Sequence, residues 1–191
     1  NISFSHVIDE LVNTDKPFSP VHLHRFSDLS PSDLAELKNR WQEIDPKRRS
    51  ALMEDLEELT ELDTLVCFDD LCLFCLEDEN PGVRASAIRM LWETNNVNLV
   101  SNRFIQILKN DVDETVQAEA ARGLGTYVYL GELDYNPKDR LTRIENALLE
   151  AYSDAKSHLW KRKNLESLGF SSPKERPIKI MSAHYNEHIK T

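Results

Sequence analysis

The chain has 191 residues, of which 40% are hydrophobic and 29% charged, and its formal net charge is −10. This length and composition are those of a folded domain with a sizeable core, not of a disordered chain. The acidic balance weighs against nucleic acid as the main ligand, because phosphate binding needs clustered lysine and arginine. There is no run of 18 apolar residues and no basic-apolar leader, so we expect neither a membrane span nor a signal peptide.

The cysteines indicate a reducing compartment. All three lie within residues 67–75, which is not the arrangement of a disulfide framework. We therefore predict a cytoplasmic protein.

Charge is spread unevenly along the chain. Residues 51–82 contain eleven acidic side chains and no lysine or arginine, whereas residues 156–180 contain seven basic side chains and two acidic ones. We interpret both stretches as solvated helix faces, with steering of a charged partner as the alternative.

The first part of the chain predicts a lead-in followed by capped helices. Residues 1–27 have weak periodicity and two prolines, which predicts an irregular or short-helical lead-in with one helix over residues 2–12. Ser30-Pro31 supplies a capping hydroxyl and a proline at the first helical position, so a helix is expected to begin there. Asp45-Pro46 predicts the start of a second helix by the same logic.

Apolar residues recur at helical spacing in these two helices and in a third, predicted over about residues 65–76. The three predicted apolar faces are Leu34, Leu37, Trp41 and Ile44; Leu52, Leu56 and Leu59; and Phe68, Leu71, Cys72, Cys75 and Leu76.

One stretch of the chain repeats after 33 residues. The segment Asp78–Leu91 aligns without gaps on Asp111–Leu124, and Asp, Val, Ala, Ala, Arg and Leu recur in register. A period in this range indicates a helical solenoid. Each copy predicts a pair of helices, with a loop over residues 131–136 inside the second pair. The predicted inward residues are Val83, Ala87 and Leu91 with Val100, Phe104, Ile107 and Leu108, and Val116, Ala120, Leu124 and Tyr127 with Leu141, Ile144, Leu148 and Tyr152.

Two further features of the repeat have a structural interpretation. Arg84 is expected to reach back to a turn acid such as Asp78. Small side chains are expected where two helices approach closely. These are Ala85, Ala87, Ala118, Ala120 and Ala121.

A third copy of the repeat is fainter and lies near the end of the chain. Trp160 takes the place of Val116 in it, and Ser172–Glu175 forms a capping box that opens the partner helix. The last three residues resemble the opening of another repeat. We therefore expect one repeat domain over residues 28–191, truncated at its C-terminal end.

These features resemble the HEAT repeats of bacterial proteins in the armadillo-type superhelix class. The resemblance rests on the turn Asp78–Pro81 and on the helix openings Val83–Ala87 and Val116–Ala120, and it is best over residues 65–191. It implies an all-α fold, a right-handed α-solenoid of antiparallel helix pairs. It also implies protein–protein scaffolding, although some relatives in the wider class assist chromophore attachment to phycobiliproteins and a few helical-repeat proteins are DNA glycosylases. No catalytic residue of those enzymes matches this sequence.

We expect a scaffold or adaptor that binds another protein and uses no cofactor, rather than an enzyme. The candidate partner-binding residues are Arg103, Lys109 and Arg143, which lie off the apolar stripes of the second helices of the pairs. Those helices often line the concave side in proteins that this chain resembles. The alternatives are an enzyme accessory of the chromophore-lyase type, a zinc-dependent hydrolase and, last, a nucleic-acid-binding protein.

The cysteine spacing invites comparison with iron–sulfur proteins. Cys67, Cys72 and Cys75 reproduce the C-x4-C-x2-C pattern, but no fourth cysteine is present. Cys72 and Cys75 also coincide with an apolar stripe, and a free cysteine is often a small core residue. We interpret these cysteines as core residues.

Two histidine motifs resemble zinc sites. His184, Glu187 and His188 match H-x-x-E-H, but only three residues follow and a third protein ligand is missing, so we interpret the match as chance. His22 and His24 are spaced for a metal pair, and we interpret them as part of a surface loop.

Overall fold

A computed structural model describes residues 2–133 and 138–154, and every regular element in these ranges is helical. The predicted all-α class is therefore confirmed for the described residues. The chain divides into two compact units, Asn1–Thr94 and Asn95–Thr191. None of the helices in the described ranges combines the length and apolar composition that a membrane crossing requires.

The described part of the first unit contains five α-helices. They are α1 (Phe4–Val12), α2 (Pro31–Arg40), α3 (Pro46–Leu62), α4 (Asp69–Cys75) and α5 (Pro81–Met90). Short 3-10 segments occur at Pro20–Phe26, Trp41–Glu43 and Leu91–Glu93. Both α3 and α4 pack against α5, and α1 packs against α2.

Side-chain caps explain where these helices begin. The Ser30 hydroxyl accepts the backbone N–H of Asp33 at 3.2 Å, and the Asp45 carboxylate accepts that of Lys47 at 2.9 Å. Asn80 caps α5 in the same way, and proline follows each of the three caps. The two predicted starts, at Ser30 and Asp45, are confirmed.

Residues 1–27 are more ordered than the sequence predicted. The expected short helix is α1, but the segment expected to be irregular contains the 3-10 turn Pro20–Phe26. Val21 of the 3-10 turn is 80% exposed, whereas six apolar side chains of the two elements are buried and belong to the core of the first unit. They are Phe4, Val7, Ile8, Leu11, Leu23 and Phe26.

The predicted apolar faces of the first unit are largely confirmed. Leu37, Trp41, Ile44, Leu52, Leu56, Phe68, Leu71, Cys72, Cys75, Leu76, Val83, Ala87 and Leu91 are all buried. Leu34 and Leu59 are only half-buried. The third predicted helix is shorter than expected, because α4 begins at Asp69 and Leu65 is 88% exposed.

The described part of the second unit contains three α-helices that pack against one another: α6 (Val97–Asn110), α7 (Glu114–Leu133) and α8 (Lys138–Asp154). The predicted inward residues Val100, Phe104, Leu108, Val116, Ala120, Leu124, Tyr127, Ile144 and Leu148 are buried, and Ile107 and Leu141 are half-buried. The Phe104 and Tyr127 rings stack with centroids 5.9 Å apart. The predictions made for Tyr152 and Trp160 concern side chains outside the described part of the structure.

The predicted loop over residues 131–136 is partly wrong. Helix α7 continues through Gly131 to Leu133, and residues 134–137 lie outside the described range. Glycine inside a helix costs roughly 1 kcal/mol relative to alanine, and the packing of α7 against two neighbouring helices outweighs that cost.

Arg84 bonds to the turn before α5 as predicted, but the acceptors of two of its bonds are backbone carbonyls and not the side chain of Asp78. The Arg84 guanidinium donates to the main-chain carbonyls of Asp78 and Glu79 at 2.7 and 3.1 Å. Arg84 thus reaches back to the predicted turn, where these two bonds go to backbone oxygens. The predicted small residues are all buried: Ala85, Ala87, Ala118, Ala120 and Ala121.

Candidate partner-binding groove

A groove of about 430 Å³ runs between α6 and α8 in the second unit. Helix α6 contributes Ile105 and Lys109, and α8 contributes Asp139, Thr142, Arg143, Asn146, Ala147 and Glu150. Two of the three predicted partner-binding residues, Lys109 and Arg143, therefore lie in one groove although they belong to different helices.

Helical spacing explains why these residues share one surface. The α8 residues recur every three or four positions, so they form a single stripe along the helix. The stripe spans 12 residues, from Asp139 to Glu150, and its 11 steps of 1.5 Å make it about 16 Å long. Ile105 and Lys109 are one turn apart on α6 and face this stripe. The groove is therefore about three helical turns long.

The groove has an apolar floor and a polar rim. Ala147 is 3% exposed and Ile105 is half-buried, whereas Thr142 and Arg143 on the rim are exposed. Such a combination suits a partner that places an apolar side chain on the floor and polar groups at the edges.

Polar contacts between side chains link the helices that form the groove. The Lys109 ammonium donates to Glu150 Oε2 at 2.6 Å. The Arg140 guanidinium donates to Asn98 Oδ1 at 3.1 Å. Both contacts join α6 to α8, so the width of the groove is set by side chains as well as by helix packing.

The remaining charges of the groove are not paired inside the described part of the chain. Arg143 and Asp139 are four residues apart on α8, and within the described ranges neither makes an ion pair. Lys109 and Glu150 pair with each other, so among the described lining residues Arg143 is left as a cation and Asp139 as an anion without an ion-pair partner.

Some residues of the groove could be chosen from the sequence, and others could not. Arg103 is exposed on α6 but is not among the residues that line the groove. Ile105 and Ala147 were missed because each is apolar and neighbours a residue of an apolar stripe, so nothing local marks it as a contact residue. The acids Asp139 and Glu150 were missed because a search for basic contact residues passes over them, although their spacing from Arg143 places them on its face.

The three cysteines differ in their exposure to solvent. Cys72 and Cys75 are 1% and 0% exposed, and Cys67 is exposed. Burial raises the pKa of the Cys72 and Cys75 thiols well above the ordinary value, so both remain protonated near neutrality. The interpretation of Cys72 and Cys75 as core residues is confirmed, whereas Cys67 lies at the surface.

The two neighbouring histidines face different carboxylates. His22 Nε2 lies 3.2 Å from Glu10 Oε2, and His24 Nε2 lies 3.2 Å from Asp63 Oδ2. The expectation of a surface loop is wrong for His22, which is buried in a 3-10 turn with its ring centroid 6.1 Å from that of Phe18. Within the described residues, no three His, Cys, Asp or Glu side chains form a group that could hold a metal ion. His184, Glu187 and His188 lie outside the described residues.

Comparisons of this chain with protein-family models, curated proteins and solved structures found no match. Its function is therefore inferred from its own helices, charges and groove.

Proposed function

We propose that this chain is a HEAT-like, right-handed α-solenoid that acts as a scaffold or adaptor for another protein. In this proposal the groove between α6 and α8 is part of the binding surface, with Lys109 and Arg143 on its two sides. Arg103 remains a candidate contact outside the groove.

The repeat supports the solenoid part of the proposal. Helix α5 begins at Pro81 and α7 begins at Glu114, so the two helices start 33 residues apart, as the sequence repeat requires. Equivalent positions of the two copies are buried alike: Val83 with Val116, Ala87 with Ala120, and Leu91 with Leu124. Equal spacing and equal burial are what stacked copies of one structural unit need.

The observation that carries the binding proposal is the groove itself. Two basic residues chosen from the sequence meet there from separate helices, above a floor formed by Ile105 and Ala147. Partner-binding surfaces commonly combine an apolar centre with a charged or polar rim. A cytoplasmic location is part of the proposal, because free thiols suit a reducing compartment.

The test is affinity capture from the host lysate with the longest natural form of the protein and quantitative mass spectrometry. Thr142→Trp places a large side chain on the exposed rim of the groove and should deplete the partner at least tenfold. Thr115→Trp is the matched control, because Thr115 is exposed in the same unit but does not line the groove. A stoichiometric partner retained equally by both variants would place binding elsewhere on the protein.

Metal analysis of the same samples addresses the enzyme alternative. One zinc per chain that is lost on His184→Ala would replace the scaffold proposal with a metal-dependent hydrolase. Bound tetrapyrrole in the purified protein would point to a chromophore-lyase-type accessory instead.

A further inference from the structure

We infer that the occupant of the groove is a helical segment of another protein that carries an acidic and a basic side chain one turn apart, the acid facing Arg143 and the base facing Asp139. This inference rests on the proposed function and specifies the chemistry of the partner.

Arg143 determines the acidic side chain that we expect in the partner. Its guanidinium lies exposed on the groove without an ion-pair partner in the described ranges, whereas Lys109 across the groove is already paired with Glu150 at 2.6 Å. A guanidinium binds a carboxylate through two parallel N–H···O bonds, which is stronger and more selective than a contact to a neutral group. The best ligand for Arg143 is therefore an aspartate or glutamate.

Asp139 determines the basic side chain that we expect in the partner. It is exposed on the same stripe of α8, four residues before Arg143, which corresponds to about 6 Å along the helix axis. A ligand that presents a carboxylate to Arg143 therefore brings its next turn against Asp139. A lysine or arginine four residues from the acid matches this spacing, and an acid at that place would be repelled.

The dimensions favour a helix as the ligand. The groove is lined along about 16 Å of α8, which is about three turns of a helix. Its apolar floor is formed by Ile105 of α6 and Ala147 of α8. An amphipathic helix that buries one or two apolar side chains between its charged ones fits this surface by the helix-in-groove mode.

The charges of the lining disfavour a nucleic-acid ligand. Among the described lining residues, Asp139 and Glu150 balance Lys109 and Arg143, so these four side chains carry no net positive charge. Phosphate binding draws its affinity from clustered cations, and these described side chains do not form such a cluster.

A displayed library of 16-residue helical peptides with randomised surface positions tests the inference. The full chain and its charge-exchanged variant, Asp139→Lys with Arg143→Glu, serve as parallel baits. We expect the natural chain to enrich peptides with an acid and a base four residues apart, and the exchanged chain to enrich the opposite order. Peptides selected on the natural chain should bind Arg143→Gln at least tenfold more weakly, and they should bind Lys47→Gln with unchanged affinity, since Lys47 is exposed on α3 and belongs to the other unit.

Several results would overturn the inference. The first is that the selected peptides lack this charge pair. The second is that they bind the natural chain and Arg143→Gln with equal affinity. The third is that Thr142→Trp still binds every selected peptide. A single-stranded 20-nucleotide DNA bound by the natural chain and released by Arg143→Gln would assign the groove to nucleic acid instead. The proposed function would survive the peptide failures if lysate capture still gave a protein partner that Thr142→Trp removes. It would fail separately if no such partner were captured.

Discussion

Arg49 donates from Nη1 to Asp78 Oδ2 at 2.7 Å, and the two side chains are 1% and 0% exposed. The pair joins α3 to the turn that precedes α5, where the first copy of the repeat begins. The indole of Trp41 donates to the same oxygen at 2.6 Å, and the second Arg49 amino group donates to Glu79 Oε1 at 2.6 Å. A residue of the repeat turn is thus the acceptor on which two earlier segments of the first unit converge.

Removing the carboxylate of Asp78 should destabilise the first unit strongly. In Asp78→Ala the Arg49 guanidinium keeps its burial but loses its buried partner, and Trp41 loses its acceptor. Loss of one partner of a buried ion pair typically costs about 3–5 kcal/mol of the free energy of unfolding. Urea denaturation followed by circular dichroism measures this loss.

Glu79→Gln is the control for that experiment. Glu79 also accepts from Arg49, but its side chain is 66% exposed, so its removal should cost less than about 1 kcal/mol. Equal losses for Asp78→Ala and Glu79→Gln would show that burial of the Arg49–Asp78 pair does not determine its contribution.

The buried thiols predict a pH dependence of stability. The folded state raises the pKa of Cys72 and Cys75 above the ordinary value of 9.0, mainly because burial disfavours the thiolate. Above about pH 9 the unfolded chain releases these protons and the folded chain retains them, so the free energy of unfolding falls as pH rises. Urea titrations at pH 8 and pH 10 should show this fall, and the double variant Cys72→Ala, Cys75→Ala should show a smaller one from a lower starting stability. An equal fall in both proteins would contradict the assignment.

Thiol chemistry provides an independent check on the same residues. Cys67 is exposed, although partial burial raises the pKa of its thiol. A thiol reagent at pH 8 should therefore modify one cysteine of the native chain, more slowly than free cysteine, and all three after unfolding. Modification of three thiols at one rate in the native protein would be inconsistent with a buried Cys72 and Cys75.

The features that the sequence predicted well are local ones. Ser30 and Asp45 mark helix starts because a capping side chain bonds a backbone N–H only two or three residues away. The apolar stripes follow from helical periodicity in the same way. Both signals lie within a few residues of the structure they determine, so one sequence suffices to find them.

The features that the sequence missed depend on contacts between distant residues. Nothing near Arg49 indicates that its partner is Asp78, which lies 29 residues further along the chain. The groove also depends on contacts between residues that are far apart in the sequence. Lys109 could be chosen as an exposed cation, but its pairing with Glu150, and hence the difference between Lys109 and Arg143, depends on how α6 packs against α8.

Lys109→Gln should separate stability from binding. The Lys109 and Glu150 side chains are 45% and 61% exposed, and an exposed ion pair contributes about 0–1 kcal/mol. The free energy of unfolding should therefore change by less than about 1 kcal/mol, as in the exposed control Lys47→Gln. Partner capture should change more, since the freed Glu150 carboxylate then competes for Arg143 or repels an acidic ligand. A large loss of stability without any effect on capture would assign Lys109 a purely structural role.

Acidic side chains lie close together on the exposed face of α3. Removing one of them should have a measurable effect on the pKa of its neighbour and on the free energy of unfolding. Partial burial, followed by repulsion from Glu58, raises the pKa of Asp55 above 3.8. A raised carboxyl pKa in the folded state means that folding disfavours the charged form. The contribution of Asp55 to the free energy of unfolding is therefore fully present below about pH 4, where the carboxyl is protonated, and it is lost as pH rises through the folded pKa. Glu58→Gln removes the charge three residues away, on the same helix face. It should lower the pKa of Asp55 and raise the free energy of unfolding at pH 7 by about 0.2–0.5 kcal/mol at low salt, and less at 1 M salt.

Carboxyl NMR titration of Asp55 tests this relationship residue by residue. Glu61→Gln is the matched control, because Glu61 is also an exposed acid of α3 but lies six residues from Asp55 and faces away from it. We expect Glu58→Gln to shift the titration midpoint of Asp55 downward and Glu61→Gln to leave it in place. The pKa of Asp55 should stay above its ordinary value even in Glu58→Gln, since partial burial is the larger cause and the substitution does not remove it. A midpoint unchanged by Glu58→Gln would mean that burial alone raises the pKa, and the like-charge repulsion on this face would then be too weak to influence stability.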